Sequence, residues 1–321
     1  MFTFRPFAVV LLFATLLPVT EASASPSEML AAGRVDEMIA SLQAKLEKTP
    51  SDAAAHNYLC RAYFVLEDWD NAITACEKAV SLDPRNSDYH LWLGRAYGEK
   101  AENAGPLSAF GLARKLRKQI ETAVQLNPAN ISARVDLAEF YTEAPAILGG
   151  GDDKVRGQAE ALAKFAPAQA HYVLGRLAEK QKDSAAAEKQ YHAAIAASGG
   201  NAQDWLNLAV FYKHQARWND MEQALQKVSS ASAGKSDALL DSADLLLRAG
   251  RNPAMAAQLA REYLASDSPS ERFPFFQAHY VLGKALEKQG DTQGAAREYR
   301  EALTLASNFP PARVALSRVA Q

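Results

Sequence analysis

HYVLGRLAEKQKDSAAAEKQYHAAI (residues 171–195) and HYVLGKALEKQGDTQGAAREYREAL (residues 279–303) share one arrangement of small and aromatic residues. Both follow an alanine, Ala170 or Ala278, so that AHYVLG occurs twice. A leucine and a glycine come early, a small residue stands twelve positions after the glycine, an aromatic four further on and an alanine three beyond that. These slots hold Leu174, Gly175, Ala187, Tyr191 and Ala194, then Leu282, Gly283, Ala295, Tyr299 and Ala302. Self-similarity of this kind marks a repeat architecture, in which one supersecondary unit is stacked many times.

The register extends along most of the chain. Leu59, Cys60, Tyr63, Ala72, Cys76, Ala79 and Pro84 keep it over 53–86, and Leu93, Gly94, Tyr97, Ala123 and Pro128 over 87–130, a unit with an insertion. Leu137, Ala138, Tyr141 and Pro167 follow over 131–167; the first quoted stretch falls in 168–201, and Trp205, Leu208, Ala209, Tyr212 and Leu225 occupy 202–235. A weaker unit covers about 236–271, and 276–309 is the last full one. The leucines at 59, 93, 137, 174, 208, 282 and 316 are 34, 44, 37, 34, 74 and 34 residues apart, mostly one repeat or two with small insertions. The pattern resembles that of the tetratricopeptide-repeat family. The resemblance implies an all-α fold: a right-handed superhelical solenoid of antiparallel helix pairs over 25–321, with a truncated first repeat at about 27–52 and a capping helix at 310–321.

Each unit of this type is two short helices whose apolar stripe cannot be buried within the pair, so the pairs must stack on their neighbours. Small residues at Gly94, Gly175 and Gly283 allow close approach, while Tyr191, Leu225 and Tyr299 fill the space between units. Pro84, Pro128 and Pro167 stand where a helix has to stop. The end units are expected to be atypical, because a stack exposes an apolar face at each end.

Residues 1–24 read as a secretory signal peptide: a cation at Arg5, an apolar run from Phe7 to about Leu17, and the triplet Ala22-Ser23-Ala24. The run is shorter than the roughly 20 residues a membrane-spanning helix needs, so cleavage after Ala24 and a mature chain without a span are expected. That places the protein across an inner membrane, in a periplasm or outside the cell. The formal charge of −2, from 35 basic and 37 acidic residues, implies no nucleic-acid surface.

EAPAILGGGDDK (residues 143–154) raises the question of a phosphate loop. Two aspartates already occupy the position an anion would take, and no Lys-Ser or Lys-Thr pair follows as in a P-loop. It reads as the turn between the helices of its unit, with Pro145 ending the first helix and Asp152 or Asp153 capping the second. The insertion of the preceding unit, AENAGPLSAFGLARK (residues 101–115), falls in the equivalent turn. The two enlarged loops are expected to be neighbours, with Leu107, Phe110, Ile147 and Leu148 on one edge. Insertions on one face of a repeat array often mark its binding face, the alternative being that the loops merely pack on each other.

His56, His90, His171 and His279 occupy the slot where the family has tryptophan. Helix axes about 8–10 Å apart do not bring them within zinc-ligand distances, so packing histidines are expected and no metal or cofactor is implied. Cys60 and Cys76 lie at similar height on facing helices of one hairpin; a bridge between them is feasible in an oxidising compartment, and two buried thiols are the other reading.

In the family the first helix of each repeat lines the concave groove. Just after the small slot come Arg61, Arg95, Glu139, Arg176, Val210, Asp244, Lys284 and Arg318. Arg61 and Arg95 are successive and suit an acidic peptide or a terminal carboxylate. With no catalytic motif in the chain, the resemblance implies a non-enzymatic scaffold or adaptor that binds a protein or peptide, similar to soluble periplasmic repeat proteins of bacteria. The alternatives are a self-associating structural solenoid, or an enzyme with its site at the 101–115 and 143–154 loops.

Overall fold

The computed structural model describes residues 24–231, 235–266 and 269–320. Apart from Ala24, the expected leader at 1–24 lies outside the described residues. Among those described there is no strand. The helices are α1 (Pro26–Ala31), α2 (Val35–Lys48), α3 (Ala53–Val65), α4 (Trp69–Leu82), α5 (Ser87–Glu102), α6 (Pro106–Leu126), α7 (Ile131–Glu143) and α8 (Asp152–Ala163). They continue as α9 (Pro167–Lys180), α10 (Ser184–Ser198), α11 (Ala202–His214), α12 (Trp218–Ser230), α13 (Lys235–Arg248), α14 (Pro253–Leu264), α15 (Phe275–Lys288), α16 (Thr292–Leu305) and α17 (Pro310–Val319).

Local chemistry sets many of these boundaries. Asp52, Asn130, Asp183, Asn252 and Asp291 accept the backbone N–H three residues on, and Pro26, Pro106, Pro167, Pro253 and Pro310 fill the first helical turn, where no partner for an N–H is needed. Between α3 and α4, Glu67 takes a left-handed φ of +61°; Lys182 (+61°), Ala216 (+54°) and Gly290 (+85°) do the same between α9 and α10, α11 and α12, and α15 and α16.

Each hairpin packs its two helices together and its first helix against the preceding second one, as in α3–α4–α5 and α13–α14–α15. First helices also touch one another, α7 with α9, α9 with α11, α11 with α13 and α13 with α15, whereas successive second helices make no comparable contact. The first helices therefore lie on the inside of the curve. Gly283 and Gly175 seat the rings of Tyr299 and Tyr191 from the second helix of their own hairpin, and Gly94 seats Ile120. Close approach at these glycines is thus of a side chain to a backbone, rather than of backbone to backbone.

The ends of the stack do not face solvent as two separate caps. Leu30, Val35 and Met38 of α1 and α2, all fully buried, share one apolar cluster with Phe276, Ala302, Ala306, Phe309 and Ala312. Gly33 comes so close to α15 that a Cβ there would lie 3.0 Å from the Phe276 backbone nitrogen. The Ser307 N–H donates to Asp36 Oδ2 at 2.9 Å, and Gln277 Nε2 donates to the Val65 carbonyl at 3.0 Å. The exposed apolar faces at the two ends cover each other, so the stack closes on itself.

The 101–115 insertion does not form the enlarged turn expected of it. It lengthens α5 to 16 residues and α6 to 21, leaving only residues 103–105 between them. Pro106 with extended backbone at Gly105 starts α6 early, and the good helix formers that follow carry it on. The 143–154 segment is a turn, containing one 3-10 turn at Ala146–Leu148. Ala144 is extended ahead of Pro145, and Gly150 approaches the Ala144 carbonyl too closely for any Cβ. Neither Asp152 nor Asp153 caps α8. The cap position is Gly151, while Asp152, already inside the helix, accepts from Gln181 Nε2 at 2.6 Å.

Candidate functional site

The inner surface is built from α3, α5, α7 and α9 on one side and the 269–274 segment, α13 and α15 on the other. On α3 and α5, two guanidinium groups interleave with aromatic rings: Arg61 lies 5.1 Å from the Tyr58 ring centre and 4.9 Å from that of Trp92, and Arg95 5.3 Å from Trp92. Arg61 pairs with Glu271, which also accepts from the Ser27 hydroxyl, so this cation bridges the two ends of the stack. Arg95 Nε reaches Asp136 Oδ2 at 2.6 Å. Burial works against the Arg61 charge, with Tyr58 and Asp88 favouring it and Arg95 opposing it.

On α7 and α9, Glu139 accepts a hydrogen bond from the Tyr172 hydroxyl. Burial pushes the Glu139 carboxyl up, while Tyr172, Arg176 and the more distant Arg272 pull it down. Arg176 donates to Glu143 Oε1 at 2.9 Å and lies 3.7 Å from Glu179. The facing wall carries Lys284 Nζ 2.8 Å from Asp244 Oδ1, Arg248 on the same carboxylate, and Arg272 3.5 Å from Asp241. Val210 is half-buried against the apolar core and takes no part in this polar surface. Arg318 lies at the end of the row on Glu287, both hydrogen bonds at 2.8 Å. The sequence row is therefore brought to one side of the molecule, but its charges are mostly neutralised within the chain. Sequence spacing alone did not single out Glu271, Asp136, Asp241 or Arg272, because those partners arrive from other repeats.

Tyrosine hydroxyls repeat a second device. Tyr97 donates to Glu77 at 2.5 Å, Tyr141 to Glu121 at 2.9 Å, Tyr212 to Glu188 at 2.8 Å and Tyr299 to Glu287 at 2.8 Å, so these four aromatics of the repeat pattern have their polar ends satisfied. The histidines of the tryptophan slot behave alike. His90 Nδ1 is 2.6 Å from Gln119 Oε1 and its Nε2 2.9 Å from the Pro84 carbonyl; His171 meets Gln190 and His279 meets Glu298, both at 2.8 Å, and His56 the Pro50 carbonyl at 3.0 Å. His90, His171 and His279 thus meet the second helix of their own hairpin, while His56 and His90 also tie the loop that precedes the first helix. The sulfurs of Cys60 and Cys76 are bonded, with Cα atoms 5.1 Å apart, tying α3 to α4.

The edge residues stand apart from this surface. Leu107 is 92% exposed and Ile147 80%, Phe110 is 39% exposed and Leu148 half-buried. The two segments are neighbours: the 3-10 turn packs on α6, where Arg117 Nη1 donates to the Leu148 carbonyl at 2.9 Å. Beside the first turns of α6 is an open cleft of about 470 Å³ lined by Trp69, Asp70, Lys100, Asn103, Ser108 and Leu112, with the Lys100–Asp70 ion pair within it.

Stacked helical hairpins of this length, with a ring-bearing second helix seated on a small residue of the first, define a class of α-solenoid built from short repeats. Models of the tetratricopeptide repeat match residues 53–86 and 276–309. The chain therefore carries tetratricopeptide repeats at these two positions, and its helical hairpins stack one on the next along the described residues. No curated protein matches it. Among solved structures it is similar to a tetratricopeptide repeat protein from Parabacteroides merdae, at 16% identity over 89% of this chain and 100% of that one, TM-score 0.39. It is also similar to yeast Tom70, at 13% identity over 98% of this chain and 59% of that one, TM-score 0.48, and to pilF of Pseudomonas aeruginosa, at 14% over 67% and 93%, TM-score 0.40. Among the described residues no helix is long and apolar enough to cross a membrane.

Proposed function

We propose that this protein is an exported scaffold that holds a segment of a partner protein against its inner surface. Export is supported by the apolar run from Phe7 to Leu17 followed by Ala22-Ser23-Ala24, and a disulfide suits an oxidising compartment. The observation that carries the binding reading is the interleaving of Tyr58, Arg61, Trp92 and Arg95. Tyrosine, tryptophan and arginine are the residues that dominate protein–protein binding energy, because each offers a large rigid surface together with directed donors. An acidic segment would exchange with Asp136 or Glu271 for the two cations, and Glu139 with Tyr172 continues the polar floor beyond them.

The test is affinity capture from an envelope extract with the chain from Ser25 onward, comparing it with Trp92→Ala/Arg95→Ala. This pair leaves the Arg61–Glu271 bridge in place. Loss of specific partners, with an unchanged circular dichroism spectrum, is the expected result. Equal capture by both proteins would eliminate the inner surface as the site.

A further inference from the structure

We propose that the outer face of α6, together with the 146–148 turn, docks on an anionic lipid surface. The first turns of α6 are apolar and its middle is basic: Leu107, Phe110 and Leu112 are followed by Arg114, Lys115, Arg117 and Lys118. Residues 107, 111, 114 and 118 fall on one stripe of a helix, by the three-and-four spacing that puts side chains on one face. All four are exposed, as is Phe110 beside them. A basic amphipathic helix with bulky apolar residues at one end has the chemistry of a membrane-surface element.

Two observations favour a bilayer over a protein partner at this face. The first is shape. Leu107 and Ile147, at 92% and 80% exposure, project from the edge instead of lining a groove. Anchors of a protein interface sit in packed pockets, whereas a bilayer interface accepts side chains that protrude. The second is charge. Arg114 and Lys118 have no carboxylate partner among the described residues, and Lys115 is held over the Tyr97 ring at 5.0 Å. Of the neighbouring carboxylates, Glu121 is engaged by Arg117 and the Tyr141 hydroxyl, Glu143 by Arg176 and Asp152 by Gln181, while Glu102 at the end of α5 and Asp153 at the start of α8 are exposed.

The dimensions agree. Arg114 is seven residues from Leu107, about 10 Å along the axis, and the lean of helical side chains towards the N-terminus shortens that distance. An obliquely seated α6 places Leu107 and Phe110 at the acyl boundary and the cations among the headgroups, with Ile147, on the turn bonded to Arg117, at the interface beside them. Because the chain as a whole is formally −2, attraction to an anionic surface has to come from this local patch.

The experiment is flotation of the chain from Ser25 onward with vesicles of phosphatidylcholine alone or of equimolar phosphatidylcholine and phosphatidylglycerol, at low and high salt. Binding is expected only to the anionic vesicles and is expected to fall with salt. Arg114→Gln/Lys118→Gln should weaken it about 30-fold, each cation near such a surface contributing about fivefold. Leu107→Ser/Ile147→Ser should weaken it about tenfold or more, through lost apolar burial. All four positions are exposed, so the variants should keep the thermal midpoint of the parent. Absence of binding to the anionic vesicles, or undiminished binding by both variants, overturns the proposal. So does lipid-independent self-association that Leu107→Ser/Ile147→Ser abolishes, which would make the patch an interface between copies.

Discussion

Replacing Gly283 by alanine tests the packing rule on which the stack rests. A Cβ at this position would lie 2.6 Å from Cδ1 and 3.1 Å from Cζ of Tyr299, and closer still to Cε1, where carbon atoms prefer about 3.5–4.0 Å. The ring has nowhere to go: Tyr299 is fully buried, and its hydroxyl is fixed to Glu287, which Arg318 holds with two hydrogen bonds of 2.8 Å. Overpacking of this kind costs about 1–3 kcal/mol. The gain in helix propensity returns only about 0.5–1 kcal/mol. A net loss of about 1–2 kcal/mol is expected in urea or thermal unfolding. Gly175→Ala, whose Cβ would be 3.0 Å from the nearest Tyr191 atoms, should cost less. Gly157→Ala, exposed in α8 with nothing within 4 Å, should stabilise by about 0.5–1 kcal/mol. If Gly283→Ala proves as stabilising as Gly157→Ala, the seating of second-helix rings on first-helix glycines is not what sets the hairpin geometry.

Three further outcomes are expected. Reducing the Cys60–Cys76 bond, which closes a loop with a sequence separation of 16, should lower stability by about 3 kcal/mol, measured as the shift in unfolding with and without reductant. The Asp241 carboxyl is pushed up to about 6 by burial, with Asp237 and Asp244 adding to the rise and Arg272 and Arg248 opposing it. The folded state therefore binds this proton more tightly than the unfolded chain, and the stability it contributes below about pH 4 is lost as the pH rises through 6. Asp241→Asn should raise stability near pH 7 by up to about 3 kcal/mol and leave it unchanged near pH 3 in parallel pH-dependent melts. Gly33→Val forces a branched residue into φ +78° and against the Phe276 backbone, at a cost of at least about 1–2 kcal/mol. It should separate the ends, seen as a larger radius of gyration in small-angle scattering; an unchanged radius would show that closure does not depend on that approach.

The sequence by itself determined the repeat. Leu174, Gly175, Tyr191 and their counterparts at 282, 283 and 299 make contacts within a hairpin or with the next one, so a local period is enough to announce them. It also marked the Ala144–Pro145 stop, the neighbouring edge segments and the side of the molecule that carries Arg61, Arg95, Glu139 and Arg176. Helix length was less legible: residues 101–115 look like a turn because Gly105 and Pro106 interrupt the pattern, yet that proline is a good first helical residue and only three residues stay outside helix. Closure of the stack was decided only in three dimensions. The pairs Ser27–Glu271, Asp36–Ser307 and Gly33–Phe276 join positions more than two hundred residues apart, and their meeting depends on the summed rotation of every intervening hairpin. No period in the sequence encodes that sum, and the same accumulated curvature brings Glu271 to Arg61 and Arg272 towards Glu139.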